Sequence, residues 1–600
     1  MRLYLVPTLT LLLLLPLVQA SPNTAEELRV VITTENTLNF EETGPNPYLE
    51  YAEANYTWLP SRARSQEIQS IQTDGGKQGN VITLYTEEPT NQAITTTATL
   101  TSKEDRPVIN RKHRYPITTT PPETHTYLQK TELIDYNDDI QRLTNSVIGD
   151  TDDLRVATDR VATWVTNNIE YNLSTTNAEA SIRSTTVLER RQGVCDELTN
   201  LFIAMMRSVG VPARYVSGLA YTNSDLFERS WGPHGWAEVY FPDVGWVPYD
   251  PTYKQYGYVD ASHIVFNKGT AGQKYTSQYT WLSRDLSVTT SRDYSVEHTE
   301  TSQQSEPWVS TRLAASPDPI GFGGVVTIQA DLRNNEDAYI TPQVRLQPTQ
   351  STETLTHRNL AVTLPPGQAK TVKWQSRIDA SLDPGYVFTI PFQTSSRLAG
   401  DASTSVESRA GAPTPEAQIP TETSDQTMFC AATPSVLRPN ASFQVSCNTQ
   451  NICHGSTCAA ETLRLTAPQT TQPIKITADQ AAYTLPLTVI PRPDVSINAS
   501  LNGTRIVAQT RATPMSSVTT TETLLTHKNR TEKAQLPLRV HPEYVAKPTT
   551  LTFTYRVTDG LGETTTDKAQ IELHPPSTLT GKLKAYFYAY LLQKPVFETV

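Results

Sequence analysis

The sequence has 600 residues, a net charge of −11 and an isoelectric point near 5.5. An acidic chain of this kind argues against nucleic acid as a partner, because phosphate binding needs a basic surface. The length predicts about three to five domains. The 42 prolines, with abundant Ser and Thr, are typical of β-rich extracellular modules.

Residues 1–20, MRLYLVPTLTLLLLLPLVQA, have the layout of a secretory signal peptide. Arg2 precedes an apolar run that ends near Leu17, and the small-residue pattern VQA follows. The alternative is an uncleaved anchor, because the apolar run approaches the length that spans a membrane. We therefore predict a secreted or cell-surface protein, whose membrane contact would be through an uncleaved N-terminal segment.

Residues 21–120 are predicted to form an N-terminal β-rich domain. LRVVIT, VITLYT and AITTTATL alternate apolar and polar residues, as half-buried strands do. ITTTPPE at 117–123 reads as a linker. From 125 to 290 the pattern mixes helices and strands. Apolar residues at helical spacing between Leu154 and Val165, after an acidic start, predict one helix there.

Cys195 is predicted to begin a second helix. Apolar residues recur every three or four positions from Leu198 to Val209, and Gly210 ends the pattern. A helix N-terminus carries unpaired N–H groups and partial positive charge, which favour a thiolate. The same N–H groups can hold the oxyanion of a tetrahedral intermediate.

A β-hairpin is predicted downstream of this helix. HGWAEVYF begins at His234, and GWVPYD ends at Asp250, with PDVG as the turn between them. A hairpin can bring His234 and Asp250 together at neighbouring strand ends. A thiol nucleophile needs an imidazole base and a carboxylate that orients it, so Cys195, His234 and Asp250 are candidate catalytic residues.

Each of the three residues also has an ordinary explanation. Cys195 can be a buried, inert thiol or a cysteine that links to a partner, His234 can end a strand, and Asp250 before a proline can form a turn. Their order and their shared placement at element ends favour the catalytic interpretation.

Beyond residue 300 the strand pattern returns. VVTIQADL, TVKWQSRI and TLTFTYRVTDG alternate as strands do, and GAPTPEAQIPTET at 411–423 reads as a linker. We predict β-sandwich modules at 300–412, 424–500 and 501–576, followed by a tail at 577–600. The tail is too short to span a membrane.

Four of the five cysteines fall into one short window, which predicts two disulfides in an oxidising compartment. Three pairings are possible; alternation in SFQVSC favours Cys430–Cys447, with Cys453–Cys458 closing the CHGSTC loop. A metal site that includes His454 is the alternative, although the spacing fits no common zinc pattern. Six N-x-S/T triplets are candidate glycosylation sites: Asn55, Asn172, Asn440, Asn498, Asn502 and Asn529.

The segment 187–252 resembles the transglutaminase-like superfamily, in particular its secreted prokaryotic and archaeal members. The resemblance rests on RRQGVCDELTNLFIAMMRSVGVPARYVSGLAY and HGWAEVYFPDVGWVPYDPT, where HGW replaces the usual HAW. It implies that Cys195 is the nucleophile, His234 the general base and Asp250 its orienting partner. It also implies a papain-like core. Together with the strand patterns on either side, this predicts a multidomain α+β chain in which the core follows a β-rich domain and precedes two or three β-sandwich, immunoglobulin-like modules.

The implied activity is formation of a Cys195 acyl-enzyme from an amide or peptide carbonyl. An amine acceptor would make the enzyme a transglutaminase, and water would make it a protease or amidase; the sequence leaves both open. The partners would be extracellular or cell-surface proteins or peptides. No cofactor or metal is expected, and no EF-hand calcium loop occurs. The alternative is a non-enzymatic surface protein that binds through a degenerate domain.

Overall fold

The structure is a computed structural model. It describes residues 22–599 except 80, 118–119, 174–181, 272–276, 304–305, 418–429, 434–435, 448–450, 461, 479–480, 486, 503, 514–517, 528–529, 535–537, 560–562 and 592–596. The signal-peptide prediction and Asn529 lie outside the described residues. Among the helices that the structure describes, none is long and apolar enough to cross a membrane.

The chain begins with a run of antiparallel strands. After a 3-10 turn at Pro22–Thr24, the strands are β1 (Ala25–Glu42), β2 (Tyr48–Tyr56), β3 (Gln66–Thr73), β4 (Gly76–Gln78), β5 (Val81–Thr86) and β6 (Gln92–Lys103). The three strand patterns read from the sequence in this region correspond to β1, β5 and β6. Strand β1 buries alternate residues along its length, as its apolar alternation predicts.

Residues 122–269 form an α+β unit, here called the core unit. A 3-10 helix at Pro122–Leu128 precedes α1 (Asp138–Ile148), α2 (Leu154–Asn168), α3 (Ser184–Arg190) and α4 (Cys195–Ser208). The strands are β7 (Glu170–Tyr171), β8 (Gln192–Gly193), β9 (Ala213–Tyr221), β10 (Trp231–Phe241), β11 (Gly245–Asp250), β12 (Gln255–Tyr256) and β13 (Ile264–Gly269). Both predicted helices are present as α2 and α4. They pack on a sheet with the order β12-β11-β10-β9-β13.

The next two strands, β14 (Gln278–Arg284) and β15 (Leu286–Gln303), return to the sheets of the N-terminal unit. The orders are β15-β1-β6-β3 and β14-β2-β5-β4, so β15 pairs with β1 along almost its whole length. The core unit is therefore inserted between strands of the N-terminal unit. The expected boundary at 290 falls inside β15, because a local strand pattern does not show which distant strand is its partner.

Residues 309–408 form a middle unit in which two four-stranded sheets share one apolar core. Its strands are β16 (Val309–Ser316), β17 (Val325–Asn334), β18 (Gln343–Leu346), β19 (Thr352–Thr354), β20 (Asn359–Ala361), β21 (Ala369–Ile378), β22 (Phe388–Ser395) and β23 (Ala402–Ser408). The middle unit contacts the core unit: Thr341 and Thr363 donate hydrogen bonds to the buried Asp159 of α2.

The following unit carries the clustered cysteines. Its strands are β24 (Cys430–Thr433), β25 (Val436–Leu437), β26 (Ser442–Cys447), β27 (Ile452–His454), β28 (Thr457–Ala459), β29 (Thr462–Thr466), β30 (Ile474–Ala478), β31 (Ala481–Leu485) and β32 (Thr488–Val489). Disulfides join Cys430 to Cys447 and Cys453 to Cys458, the pairing that the sequence favoured. His454 Nδ1 bonds the Lys475 carbonyl at 2.8 Å, and both flanking cysteines are in disulfides, which argues against the metal-site alternative.

The C-terminal strands are β33 (Asp494–Asn502), β34 (Arg505–Thr513), β35 (Val518–His527), β36 (Arg530–Lys533), β37 (Leu538–Val540), β38 (Thr549–Asp559), β39 (Thr564–Leu573) and β40 (Phe597–Thr599). The expected boundary between residues 500 and 501 falls inside β33, which forms a hairpin with β34 and therefore belongs to this last unit. In the tail, α5 (Leu579–Tyr586) leads into a π-helical turn at Phe587–Leu591, and β40 pairs with β37.

Candidate active site

Helix α4 places Cys195 at its first position. Val194 precedes the helix with extended backbone. Its N–H donates to Glu197 Oε2 at 3.1 Å, so the Glu197 side chain caps the start of the helix. The apolar face of α4 is fully buried against the sheet and the other helices. Thr199 Oγ1 donates to the Gly235 carbonyl at 3.0 Å and thereby fixes the helix start against β10.

His234 and Asp250 lie in the predicted hairpin and are in contact. In the β10–β11 hairpin, Phe241 pairs with Gly245 next to the turn and Ala237 pairs with Tyr249 at the other end. Strand β10 therefore continues past the last pair toward His234. His234 Nε2 lies 2.6 Å from Asp250 Oδ2, and both side chains are buried. Strand β10 begins at Trp231, three residues before the predicted start, because these residues also pair with β9.

Cys195 and His234 line the same cavity, whose volume is about 390 Å³. Its walls come from the end of α2, the start of α4, strands β9 and β10, and the loop after β11. Leu226 and Phe227 are exposed on this cavity, at 65 % and 41 %. The cavity therefore gives an amide group access to the thiol beside an apolar rim. The other lining residues are Thr166, Ile169, Tyr171, Leu198, Ala220, Thr222, Ser224, Arg229, Gly232, Pro233, Pro251, Thr252, Tyr253 and Lys254.

The surroundings of Cys195 hold its thiol in the neutral form. Burial, then the Asp196 carboxylate, raise the pKa of the thiol well above its ordinary value, while a hydrogen bond from the Gly235 backbone N–H acts in the opposite direction. Asp196 Oδ1 lies 3.7 Å from Sγ. The sequence favoured a thiolate because of the helix N-terminus; burial, together with the neighbouring carboxylates, outweighs that effect. For this thiol to act as a nucleophile, a base would have to remove its proton.

Asp250 is held as a carboxylate. Burial alone would raise its pKa, but His234 and His263 lower it well below the ordinary value. Its Oδ1 accepts hydrogen bonds from the backbone N–H groups of Thr252 at 2.8 Å and Tyr253 at 2.9 Å. Because Asp250 accepts only, Nε2 of His234 carries the proton and Nδ1 remains as the ring nitrogen that can act on the thiol.

The sequence did not identify His263 and Asp260 as residues of this site. His263 Nε2 lies 3.1 Å from Asp250 Oδ2, and its Nδ1 lies 3.1 Å from Asp260 Oδ1. The available signal was a second histidine shortly after the candidate carboxylate. His234, Asp250 and His263 present ligand atoms within 4.8 Å of one another, so they could hold a metal ion. In the structure those atoms are instead hydrogen-bonded to each other.

Tyr171 is a further cavity residue close to the thiol. The backbone N–H of Cys195 donates a hydrogen bond toward the Tyr171 side chain; burial nevertheless raises the pKa of Tyr171 well above its ordinary value, so the hydroxyl keeps its proton. The N–H belongs to the first residue of α4, which has no acceptor within the helix. The Tyr171 hydroxyl can donate its own proton to an oxyanion, and the Cys195 N–H can do so when it turns from Tyr171 toward that oxyanion.

The candidate glycosylation sites do not gather at this cavity. Asn440, Asn498 and Asn502 are exposed in the disulfide-bearing and C-terminal units. Asn55 is partly buried on β2, and Asn172 Nδ2 bonds Gln192 Oε1 at 2.9 Å within the core unit. Their use as acceptors stays a prediction.

Comparison with known proteins places the core unit in a family. Residues 141–251 match the family model described as the transglutaminase-like superfamily. An uncharacterized protein of Bacillus subtilis, YebA, is 36% identical over 77 residues, which is 11% of this chain and 10% of YebA. A protein-glutamine gamma-glutamyltransferase of Pseudomonas aeruginosa is 30% identical over 73 residues, 11% of each chain. The chain thus spans about a tenth of the length of these two relatives.

Among solved structures, one similar chain is a candidate cysteine protease from Cytophaga hutchinsonii. It has 18% sequence identity and a TM-score of 0.34, with 47% of this chain and 93% of that chain covered. Red sea bream transglutaminase has 10% identity and a TM-score of 0.19, with 88% of this chain and 92% of that chain covered.

Proposed function

Since the chain carries a transglutaminase-like domain at residues 141–251, we propose that it is an extracellular thiol enzyme that forms an acyl-enzyme with amide or peptide carbonyls. One observation carries this proposal: Cys195 and His234 line one cavity, and His234 is bonded to the buried Asp250 at 2.6 Å. A nucleophile, a base and an orienting carboxylate are the groups that acyl transfer requires.

In the first half-reaction, Cys195 Sγ attacks the carbonyl carbon of the amide while His234 takes the thiol proton. The tetrahedral oxyanion is stabilised by the Cys195 backbone N–H and the Tyr171 hydroxyl. The carbon–nitrogen bond then breaks, and His234 returns the proton to the leaving amine. The product is a thioester on Cys195 and a free amine or ammonia.

In the second half-reaction, an amine or water attacks the thioester, and His234 takes the proton of the attacking group. The bond to Sγ breaks, and the proton passes from His234 to the departing thiolate. An amine acceptor gives a new amide, and water gives a carboxylic acid. Both outcomes use the same three residues, so the acceptor determines whether the enzyme cross-links or hydrolyses.

The exposed rim formed by Leu226 and Phe227 supports a protein or peptide as the substrate. Apolar side chains on the rim of a cavity favour binding of apolar groups that flank the amide in a protein or peptide. The two disulfides are compatible with an oxidising, extracellular setting.

The test measures acyl transfer and hydrolysis in parallel. Incorporation of the fluorescent amine monodansylcadaverine into dimethylcasein reports transfer, and release of ammonia without added amine reports hydrolysis. We expect the wild-type protein to show at least one of these activities and Cys195→Ala to show neither. Equal activity in both proteins, or none in a panel of amide substrates with a folded wild type, would contradict the proposal and favour a binding role.

A further inference from the structure

The Asp250 carboxylate receives more hydrogen bonds than an orienting carboxylate needs. Its Oδ1 accepts two backbone N–H groups, and its Oδ2 accepts His234 Nε2 at 2.6 Å and His263 Nε2 at 3.1 Å. Four donors leave the carboxylate no freedom to rotate. The second imidazole on Oδ2 is therefore part of what fixes the direction of the first.

His263 contacts a carboxylate through each of its ring nitrogens. Nε2 faces Asp250 and Nδ1 faces Asp260, both at 3.1 Å, and the ring is fully buried. Carboxylates only accept, so both nitrogens must carry protons and the ring is an imidazolium. Burial lowers the pKa of His263, but Asp260 and Asp250 raise it further, to about 9.

Asp260 is itself held in place. Oδ1 accepts the backbone N–H of Ser262 at 2.9 Å, and Oδ2 accepts Gln255 Nε2. Arg397 of the middle unit forms two ion pairs here. Its Nη1 lies 3.5 Å from Asp260 Oδ2, and its Nη2 lies 2.8 Å from Glu104 Oε2. Asp250 and Asp260 contact the His263 ring directly, and Arg397 lies behind Asp260. The other titratable groups around this ring are His234 and Tyr253, whose rings pack edge-to-face against it.

We propose that His263 is a positioning residue for the proposed reaction, which holds Asp250 through a protonated ring anchored on Asp260. The inference rests on the proposed roles of Cys195, His234 and Asp250. His263 does not line the cavity and reaches the substrate only through Asp250 and His234.

The charge of His263 has a consequence beyond geometry. It offsets part of the negative charge of Asp250, whose Oδ2 contacts both the His263 and the His234 ring. Loss of the imidazolium leaves that negative charge uncompensated, and a proton on His234 is then held more strongly. His234 must be neutral to act as a base, so activity at acidic pH should fall.

Two variants test this role in the full-length protein. His263→Asn removes the imidazolium, and Asp260→Asn keeps the ring but removes the carboxylate that charges it. The matched control is His113→Asn, because His113 is also a buried histidine of this region and packs edge-to-face on Phe241. We expect both site variants to shift the acidic limb of kcat/KM upward by about one pH unit, with little change in KM.

A second readout needs no substrate. Spectra of protein labelled with ¹⁵N-histidine should show one imidazolium that persists to about pH 9, is absent in His263→Asn and is retained in His113→Asn. This readout stands even if no amide substrate is turned over, so failure of the proposed function and failure of this inference are distinguishable.

Three results would overturn the inference. The first is a neutral His263 ring at pH 7. The second is an unchanged pH profile in folded His263→Asn or Asp260→Asn protein. The third is a stoichiometric metal ion in the purified protein that is lost with His263→Asn, which would make the cluster a metal site.

Discussion

The Tyr215 hydroxyl occupies the position in which a methyl group on residue 235 would lie. A Cβ on Gly235 would be 1.7 Å from Tyr215 Oη and 2.8 Å from Asp196 Oδ1. The same hydroxyl donates to Asp196 Oδ1, next to Cys195. Glycine in the HGW segment is therefore required by Tyr215.

We predict that Gly235→Ala abolishes the proposed acyl-transfer activity. The added methyl group must displace Tyr215, which is buried, and with it Asp196 and the start of α4. Tyr215→Phe should not relieve the clash, because the ring carbon that carries the hydroxyl would lie 2.4 Å from the methyl group. Tyr215→Ala should relieve it, so the double variant should be more active than Gly235→Ala alone. The check is an activity assay on the wild type, on Gly235→Ala, and on Gly235→Ala combined with Tyr215→Phe or with Tyr215→Ala. A fully active Gly235→Ala protein would contradict the prediction.

We predict that Asp250→Asn lowers kcat by roughly 10³- to 10⁴-fold, since the amide no longer fixes the protonated nitrogen of His234. The matched control is Asp243→Asn, in the turn of the same hairpin, where the side chain is exposed and the backbone is left-handed, a conformation that asparagine tolerates. The control should retain wild-type kcat. A similar loss in both variants would mean that the hairpin, and not the carboxylate, had been disturbed.

We predict that Cys195 reacts slowly with iodoacetamide near pH 7. Burial and Asp196 raise the pKa of the thiol above the ordinary value of about 8.5. The alkylation rate should therefore still increase with pH beyond that value. Asp196→Asn removes the nearest negative charge and keeps an acceptor for Tyr215. Alkylation near neutral pH should then be roughly tenfold faster, because loss of a nearby negative charge lowers the pKa of the thiol. Mass spectrometry of the peptide containing Cys195 provides the measurement, and an unchanged rate would exclude Asp196 as the cause.

We predict that the site loses stability in both alkaline and acidic solution. The pKa of His263 is raised to about 9. The protonated ring therefore contributes fully to the free energy of unfolding below about pH 6.5, the ordinary histidine pKa, and this contribution is lost as the pH rises through 9. The contribution at stake is up to about 3 kcal/mol. Burial alone would raise the pKa of Asp260, but His263 lowers it to about 2. The Asp260 carboxylate therefore stabilises the folded protein above about pH 4, and this stabilisation is lost as the pH falls toward 2.

Hydrogen exchange of residues 255–269, corrected for the intrinsic effect of pH, is the measurement for this prediction. Protection should decrease between pH 7 and 10 in the wild-type protein and should be lower but nearly constant over that range in His263→Asn. Equal slopes in the two proteins would contradict the assignment of the alkaline loss to His263.

The helix that begins at Cys195 and the hairpin that carries His234 and Asp250 could be predicted because local patterns specify them. The apolar spacing after Leu198 and the PDVG turn each need only a few neighbouring residues. His263 could not be found in this way, because its role depends on a loop that folds back onto Asp250. The neutral thiol was also missed, since the charge of Asp196 is visible in the sequence but its distance from Sγ is not.

Domain limits were predicted less well for a related reason. Strands β15 and β33 have ordinary strand patterns, and nothing within them identifies the distant strand or the neighbouring hairpin to which they belong. Pairing between residues far apart in the chain is a property of the fold as a whole.

The pairing of β1 with β15 also determines what proteolysis of this protein can achieve. A single cut near residues 104–121, between the N-terminal strands and the core unit, would not release the N-terminal segment, because β1 would remain bonded to β15 along residues 286–303. The N-terminal unit therefore cannot act as a propeptide that is shed by one cleavage. Separation of the core unit from the N-terminal unit would need a second cut, between the core unit and β15.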